Sequence, residues 1–290
     1  MSKLSIIIPS CQEKEENLDR TIRSILDNAT GDYEIIVGLN GEPYTKIHYD
    51  LPVIKFPRNV GIKTNINALV ASATGKYIYK TDAHCSFGKG FDEILQADMQ
   101  DDWIVMPRFY VLDGKTWNWQ DDRFYDYFYL SCPFTDPRGF RFKAGGHWSD
   151  LTKERLESHP TLDETPQIHG SGWMMTKDRF FELGGFPNID PYGHAQEPAW
   201  LALKNWLIGG KVMVNKKTWY AHMHQDGSAK GYRYTREEER HSYDVAARHF
   251  VGDKGNYLYN FEWFVEKFMP MPTWNSDWKE VLHKWKEVYK

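Results

Sequence analysis

The chain opens on an apolar run, Leu4–Ile8, that ends at Pro9. A short, nearly continuous apolar run suits a strand buried on both faces. The period then changes. Leu18, Ile22, Ile25 and Leu26 recur at helical spacing and form one apolar stripe. Strand-like runs follow at 34–38 and 52–56, with Gly41 and Pro43 marking the turn between them. Ile62, Ile66, Leu69 and Val70 restore the helical period until Gly75, and 77–80 is again strand-like. The first 85 residues therefore read β-α-β-β-α-β. Such alternation predicts a mostly parallel sheet flanked by helices. In sheets of this kind ligands bind outside the carboxyl ends of the strands.

Another strand is predicted at 103–107. Residues 108–170 show no sustained period and are rich in aromatics, Gly and Pro, as expected of an insertion carrying site loops. The pattern recovers at 172–176 as a strand, then a short helix closed by Gly184 and Gly185. A helix of about three turns begins at Glu197 and stops at Gly209 and Gly210. Residues 211–215 and 218–224 read as two further strands. The remainder starts polar and becomes helical, with Phe261, Phe264, Val265 and Phe268, then Val281, Leu282, Trp285 and Val288. The expected organisation is one domain over 1–225, in two halves, 1–107 and 108–225, and a largely helical extension over 226–290 packed against it.

Composition adds limits. With 26 % charged residues and a net charge of −4, no polyanion-binding surface is indicated. Three scattered cysteines, Cys11, Cys85 and Cys132, form no disulfide framework. The opening apolar stretch is too short for a signal h-region or a membrane span, so a cytoplasmic protein of a bacterial or phage-infected cell is expected. Aromatic residues reach 16 %, including 12 Trp, which serve either as core or as platforms for sugar rings and bases. Trp173 is open to both readings. The stretch 141–149, with Gly145 and Gly146 before His147, reads either as a lid or as a plain loop.

The chemistry concentrates where the run 77–80 ends. Asp82 and His84 follow it, two residues apart. On an extended strand they would point to one side. A carboxylate oxygen and an imidazole nitrogen together suit a divalent cation such as Mn²⁺. A third ligand must come from elsewhere, and His222 or His224 in "WYAHMH" offers it.

Four segments, in order, carry a family resemblance: "SIIIPSCQEKEENLDRTIRSIL", "RNVGIKTNINALVASATGKYIYKTDAHCSF", "GSGWMMTKDRFFELGGF" and "GHAQEPAWLALKNWLIGG". Over residues 3–90 and 168–225 the chain resembles glycosyltransferases of the GT-A fold, in the family 2 group and the related polypeptide N-acetylgalactosaminyltransferases. The resemblance implies an α/β fold with a mostly parallel sheet flanked by helices, in which 1–225 is the catalytic domain, 1–107 its nucleotide-binding half and 108–225 its acceptor-side half. It implies a nucleotide-sugar donor, a UDP-sugar, and Mn²⁺ or Mg²⁺ as cofactor. Asp82 and His84 match a D-x-H form of the metal motif, and His222 matches the distal histidine ligand, with His224 as the alternative. Pro9, Ser10 and Glu13 match the loop along the nucleotide, and Arg58 and Gly61 the segment beside the nucleobase and diphosphate. Glu197 matches the acidic residue near the anomeric carbon and acceptor. Such a residue would serve as base if the reaction inverts the anomeric centre.

Two positions depart from that pattern. Leu39 and Asn40 stand where the family has paired acids, leaving Asn40 to meet a uracil edge, and Glu197 is followed by Pro198. The acceptor is a glycan, a protein or a modified nucleic-acid base. Two other readings compete. A sugar-phosphate nucleotidyltransferase would carry a Gly-rich, basic first loop, whereas 9–17 lacks Gly and is acidic. A non-catalytic homologue that binds carbohydrate or a partner fits the altered positions.

Overall fold

The computed structural model describes residues 3–187, 196–224 and 235–289. In chain order the elements are β1 (Leu4–Ser10), α1 (Glu15–Asn28), β2 (Tyr33–Asn40), β3 (Val53–Phe56), α2 (Ile62–Ser72), β4 (Tyr77–Thr81), β5 (Cys85–Phe87) and α3 (Phe91–Ala97). They continue as β6 (Trp103–Leu112), β7 (Trp119–Tyr125), β8 (Phe128–Tyr129), β9 (Gly146–His147), α4 (Ser149–Glu154) and β10 (Leu162–Glu164). The last are β11 (Gly172–Thr176), α5 (Lys177–Glu182), α6 (Glu197–Leu207), β12 (Lys211–His222), α7 (Arg236–Phe250), α8 (Phe261–Phe268) and α9 (Trp278–Tyr289). The boundary expected at 225/226 lies outside the described residues.

One large mixed sheet organises the molecule, in the order β10-β12-β6-β11-β4-β1-β2-β3. The apolar runs of the first half become parallel neighbours, β3-β2-β1-β4. β1 is buried along its whole length, which accounts for its lack of polar alternation. β11 then enters antiparallel between β4 and β6, and β6 pairs parallel with β12. The helices α1 and α2 cover the parallel half with most of the stripes that the periodicity predicts: Leu18, Ile22, Ile25, Ile66, Leu69 and Val70 are fully buried, Ile62 is partly buried and Leu26 is exposed. At Gly38 of β2, a Cβ would fall 2.0 Å from Asn65 Oδ1. Asn65 Nδ2 donates to the Gly38 carbonyl, so the missing side chain brings α2 down onto the sheet.

The sequence pattern differs from the fold in two places. The two strands expected at 211–215 and 218–224 are one strand, β12, whose register against β6 shifts between Asn215 and Trp219. The irregular stretch 108–170 contains the end of β6, then β7 to β10 and α4. The two- and three-residue strands β8, β9 and β10 hold too few positions to show a period, and β7, largely polar and exposed, has no apolar face to reveal one. Helix α6 is buried nearly all round, with Trp200, Leu201, Leu203, Trp206 and Leu207 all covered. The sheet lies on one side of it and α7 and α8 on the other. Cys11, Cys85 and Cys132 carry free thiols. No helix among the described residues is long and apolar enough to cross a membrane.

Candidate active site

β4 ends at Thr81, and the Asp82 amide donates to the Ser171 carbonyl at 3.1 Å, which ties the strand end to the approach of β11. The chain then turns and resumes as β5, with Cys85 in register with His222 of β12. The Met223 amide donates to the His84 carbonyl at 3.1 Å. Asp82 and His84 thus sit on a turn between two strands, not along one extended strand as the spacing predicts. The cause is the pairing of β5 with β12, which pulls the chain away from β11.

That turn brings three ligand atoms together. His84 Nε2 lies 3.1 Å from His222 Nε2, which lies 3.3 Å from Asp82 Oδ2. His84 Nε2 and Asp82 Oδ2 are 4.0 Å apart. Adjacent ligands of an octahedral cation at about 2.1 Å stand about 3 Å apart, so the donor set fits a divalent metal.

The surroundings prepare these groups. Glu13 Oε2 lies 2.8 Å from His84 Nδ1, an arrangement that fixes a ring and directs its other nitrogen inward. Lys80 is wholly buried and donates to Asp82 Oδ1 and, at 2.6 Å, to the Gly170 carbonyl. Burial alone would raise the Asp82 pKa, but the Lys80 ammonium and the contact with His222 outweigh it and hold the carboxyl well below its ordinary value. Burial pushes His222 down to about 3, leaving a neutral imidazole with a lone pair to offer.

Asp82 and His222 line one wall of a cleft of about 610 Å³; His84 stands beside His222 but is not part of the lining. Glu197, the first residue of α6, lines another. Its Oε2 is buried and has no hydrogen-bond partner among the described residues. Gly170 lets it approach: a Cβ there would stand 3.0 Å from Glu197 Oε1. The same cleft holds a second group that sequence spacing does not assemble. His147, His169 and His224 each offer a ring nitrogen, all within 4.8 Å of one another. His224 therefore stands in this group, while its ring also lies 5.0 Å from that of His222. His169 carries no motif, and its proximity arises only from the fold.

Of the other candidates, Pro9, Ser10, Glu13, Asn40, Arg58 and Gly61 do not line this cleft. Pro9 and Ser10 close β1, and Ser10 is buried. Asn40 donates to Asn59 Oδ1 at 2.8 Å and accepts from the Val60 amide at 2.8 Å, so its amide binds the segment beside it. Asn59 in turn receives the Gly61 amide at 2.9 Å, ahead of α2. Arg58 is exposed on that segment. Trp173 is fully buried and stacks with Phe180, so of its two readings the structure gives core. Gly145, Gly146 and His147 form part of the cleft wall.

The fold has relatives among solved structures. GalNAc-T7 with UDP, GalNAc and Mn²⁺ superposes with a TM-score of 0.71 at 18 % identity, over 92 % of this chain and 56 % of that one. S. aureus TarS 1-349 in complex with UDP-GlcNAc gives 0.57 at 11 % identity, over 90 % of this chain and 69 % of that one. These likenesses speak to the fold, which is GT-A. A Drosophila melanogaster protein named as polypeptide N-acetylgalactosaminyltransferase 13 is 22 % identical over 97 % of this chain. The chain spans half the length of that relative. Residues 5–180 match the sequence profile of glycosyl transferase family 2, and with more than half its length inside that match, the chain belongs to this family.

Proposed function

We propose that the chain transfers a sugar from a nucleoside-diphosphate sugar, a UDP-sugar, to an acceptor hydroxyl. Asp82, His84 and His222 hold a divalent cation, Mn²⁺ or Mg²⁺, against the donor diphosphate. The observation that carries this reading is the convergence of these three ligand atoms at a cleft that also receives the Glu197 carboxylate. The relatives support the donor class, since the two solved structures contain UDP with GalNAc and Mn²⁺, or UDP-GlcNAc.

Breaking a sugar–phosphate bond leaves growing negative charge on the diphosphate, and a bound divalent cation neutralises it as a Lewis acid. The protein's part is positional. Asp82 is kept ionised by Lys80, and Glu13 orients His84. Glu197 faces the acceptor side, where its carboxylate orients the incoming hydroxyl and, in an inverting transfer, takes its proton. The acceptor is a glycan, a protein side chain or a modified nucleic-acid base.

The test is turnover of UDP-GalNAc and UDP-GlcNAc with Mn²⁺ and with EDTA. Asp82→Asn and His222→Ala are expected to lower turnover by about 10²–10³-fold, the scale of losing one electrostatic element of a transition-state site. Full turnover in EDTA or in Asp82→Asn would remove the metal from the reading. Absence of both binding and turnover with any nucleotide sugar would favour the non-catalytic alternative.

A further inference from the structure

The three histidines opposite Asp82 have the makings of a site of their own. They come from separate places in the chain: His147 from β9, His169 from the segment before β11, and His224 from just beyond β12. Their ring centroids stand 5.7, 5.8 and 6.1 Å apart, a nearly equilateral triangle. One nitrogen of each lies within 4.8 Å of the others. No two of the three rings stack on each other, and each presents a nitrogen to the same small space.

The supports have the same character. His169 Nδ1 lies 2.6 Å from Ser171 Oγ, which lies 3.0 Å from Tyr220 OH. With Nδ1 engaged in this chain, Nε2 is the nitrogen left for a ligand. His147 lies over the ring of Tyr125 at 4.0 Å. Phe109, fully buried, touches all three imidazoles, with ring centroids 5.6, 4.8 and 5.6 Å from His147, His169 and His224. An apolar floor under the rings restricts water to the cleft side.

We infer that His147, His169 and His224 form a second cation site, for a borderline metal such as Zn²⁺, with one open position facing the cleft. Three imidazoles and no carboxylate suit Zn²⁺ better than Mg²⁺ or Mn²⁺, which favour oxygen ligands. Three protein ligands with a fourth position left to water or substrate is the arrangement of zinc sites that bind or activate an oxygen. The two donor sets adjoin, with the His222 ring 5.0 Å from His224 and 5.3 Å from His169, but they differ in chemistry: one contains a carboxylate and the other does not. The open position faces the cleft that Glu197 lines, so an acceptor hydroxyl is the oxygen it would take. That last role rests on the transferase reading, while binding of the metal does not.

The test separates the two. The full chain, stripped of metal, is dialysed against Zn²⁺ and its zinc content measured by mass spectrometry, with sugar-nucleotide turnover followed in parallel. The Asp82→Asn/His84→Ala variant is expected to keep about one zinc per chain, since it lacks only the first donor set. His147→Ala/His169→Ala should lose that zinc yet still bind Mn²⁺. Circular dichroism checks its fold, and the milder His169→Gln, expected to weaken zinc binding by about 10-fold or more, stands in if the double variant unfolds. Cobalt substitution should give the strong visible bands of a tetrahedral site in the Asp82→Asn/His84→Ala protein. No zinc in that variant, or unchanged zinc uptake in both His147→Ala/His169→Ala and His169→Gln, overturns the proposal. Neither result depends on whether UDP-sugars turn over.

Discussion

Glu13 and His84 are 71 positions apart in the chain and 2.8 Å apart in space. The family resemblance implies a place for Glu13 on the loop along the nucleotide; in the structure its carboxylate meets the histidine. A carboxylate behind a ligating imidazole fixes its tautomer and raises its basicity. Glu13→Gln should therefore weaken Mn²⁺ binding by about 10–100-fold while leaving the fold intact, as measured by calorimetry against Asp82→Asn. Unchanged affinity would mean that Glu13 serves the nucleotide and not the histidine. At this scale, what was legible depended on local spacing. Asp82 and His84 stand two apart and announce themselves. The partnerships of Glu13 with His84, and of His147 with His169, join distant segments and leave no spacing to read.

At the scale of elements, the cleft depends on how closely β11 and α6 approach. Lys80 draws the Gly170 carbonyl in at 2.6 Å, and Gly170 presents no side chain to Glu197 and Pro198. An alanine there would put its Cβ 3.0 Å from Glu197 Oε1 and 3.1 Å from Pro198 Cγ. Gly170→Ala should push the carboxylate aside and cut transfer by about 10²-fold, the usual scale of a 1 Å misplacement. Mn²⁺ affinity should stay unchanged, because the ligands lie on other elements. A parallel loss of metal binding would show that the strain spreads through Lys80 instead. The elements of the first half were legible because each buried strand and amphipathic helix is long enough to show its period. β5 is only three residues, yet its pairing with His222 decides where the D-x-H turn points.

The whole molecule adds a pH dependence set where α7 packs on α6. His249 on α7 packs against Trp200 of α6 at 4.8 Å and meets Tyr257 OH at 2.7 Å. Burial, with Lys204 nearby, lowers its pKa from 6.5 to about 4. The unfolded chain then binds a proton through the window from about pH 6.5 to 4 that the folded chain does not. Stability must fall as pH falls through that window, by at most about 1.4 kcal/mol per pH unit from this one group. Urea melts between pH 7 and 4.5 should show a shallower decline in His249→Gln. Equal slopes in both proteins would place the pH dependence elsewhere. The helical extension was legible as helices, but its docking on α6 was not, because a helix buried on every side shows no polar face to mark its partners.

Lys80 has a consequence for how long a metal stays. Its ammonium already neutralises Asp82, and an imidazole that holds a metal does so uncharged. Counting Glu13 behind His84, the immediate surroundings carry a formal charge of about −1, too little to retain a dication strongly in water. The missing charge is that of the donor's diphosphate. Metal and nucleotide should therefore arrive and leave as a pair, each needing the other. Mn²⁺ binding measured alone should be weak, and it should tighten by at least about tenfold with UDP present, with UDP gaining by the same factor from Mn²⁺. Equal affinities with and without UDP would show instead that the cation is a permanent resident.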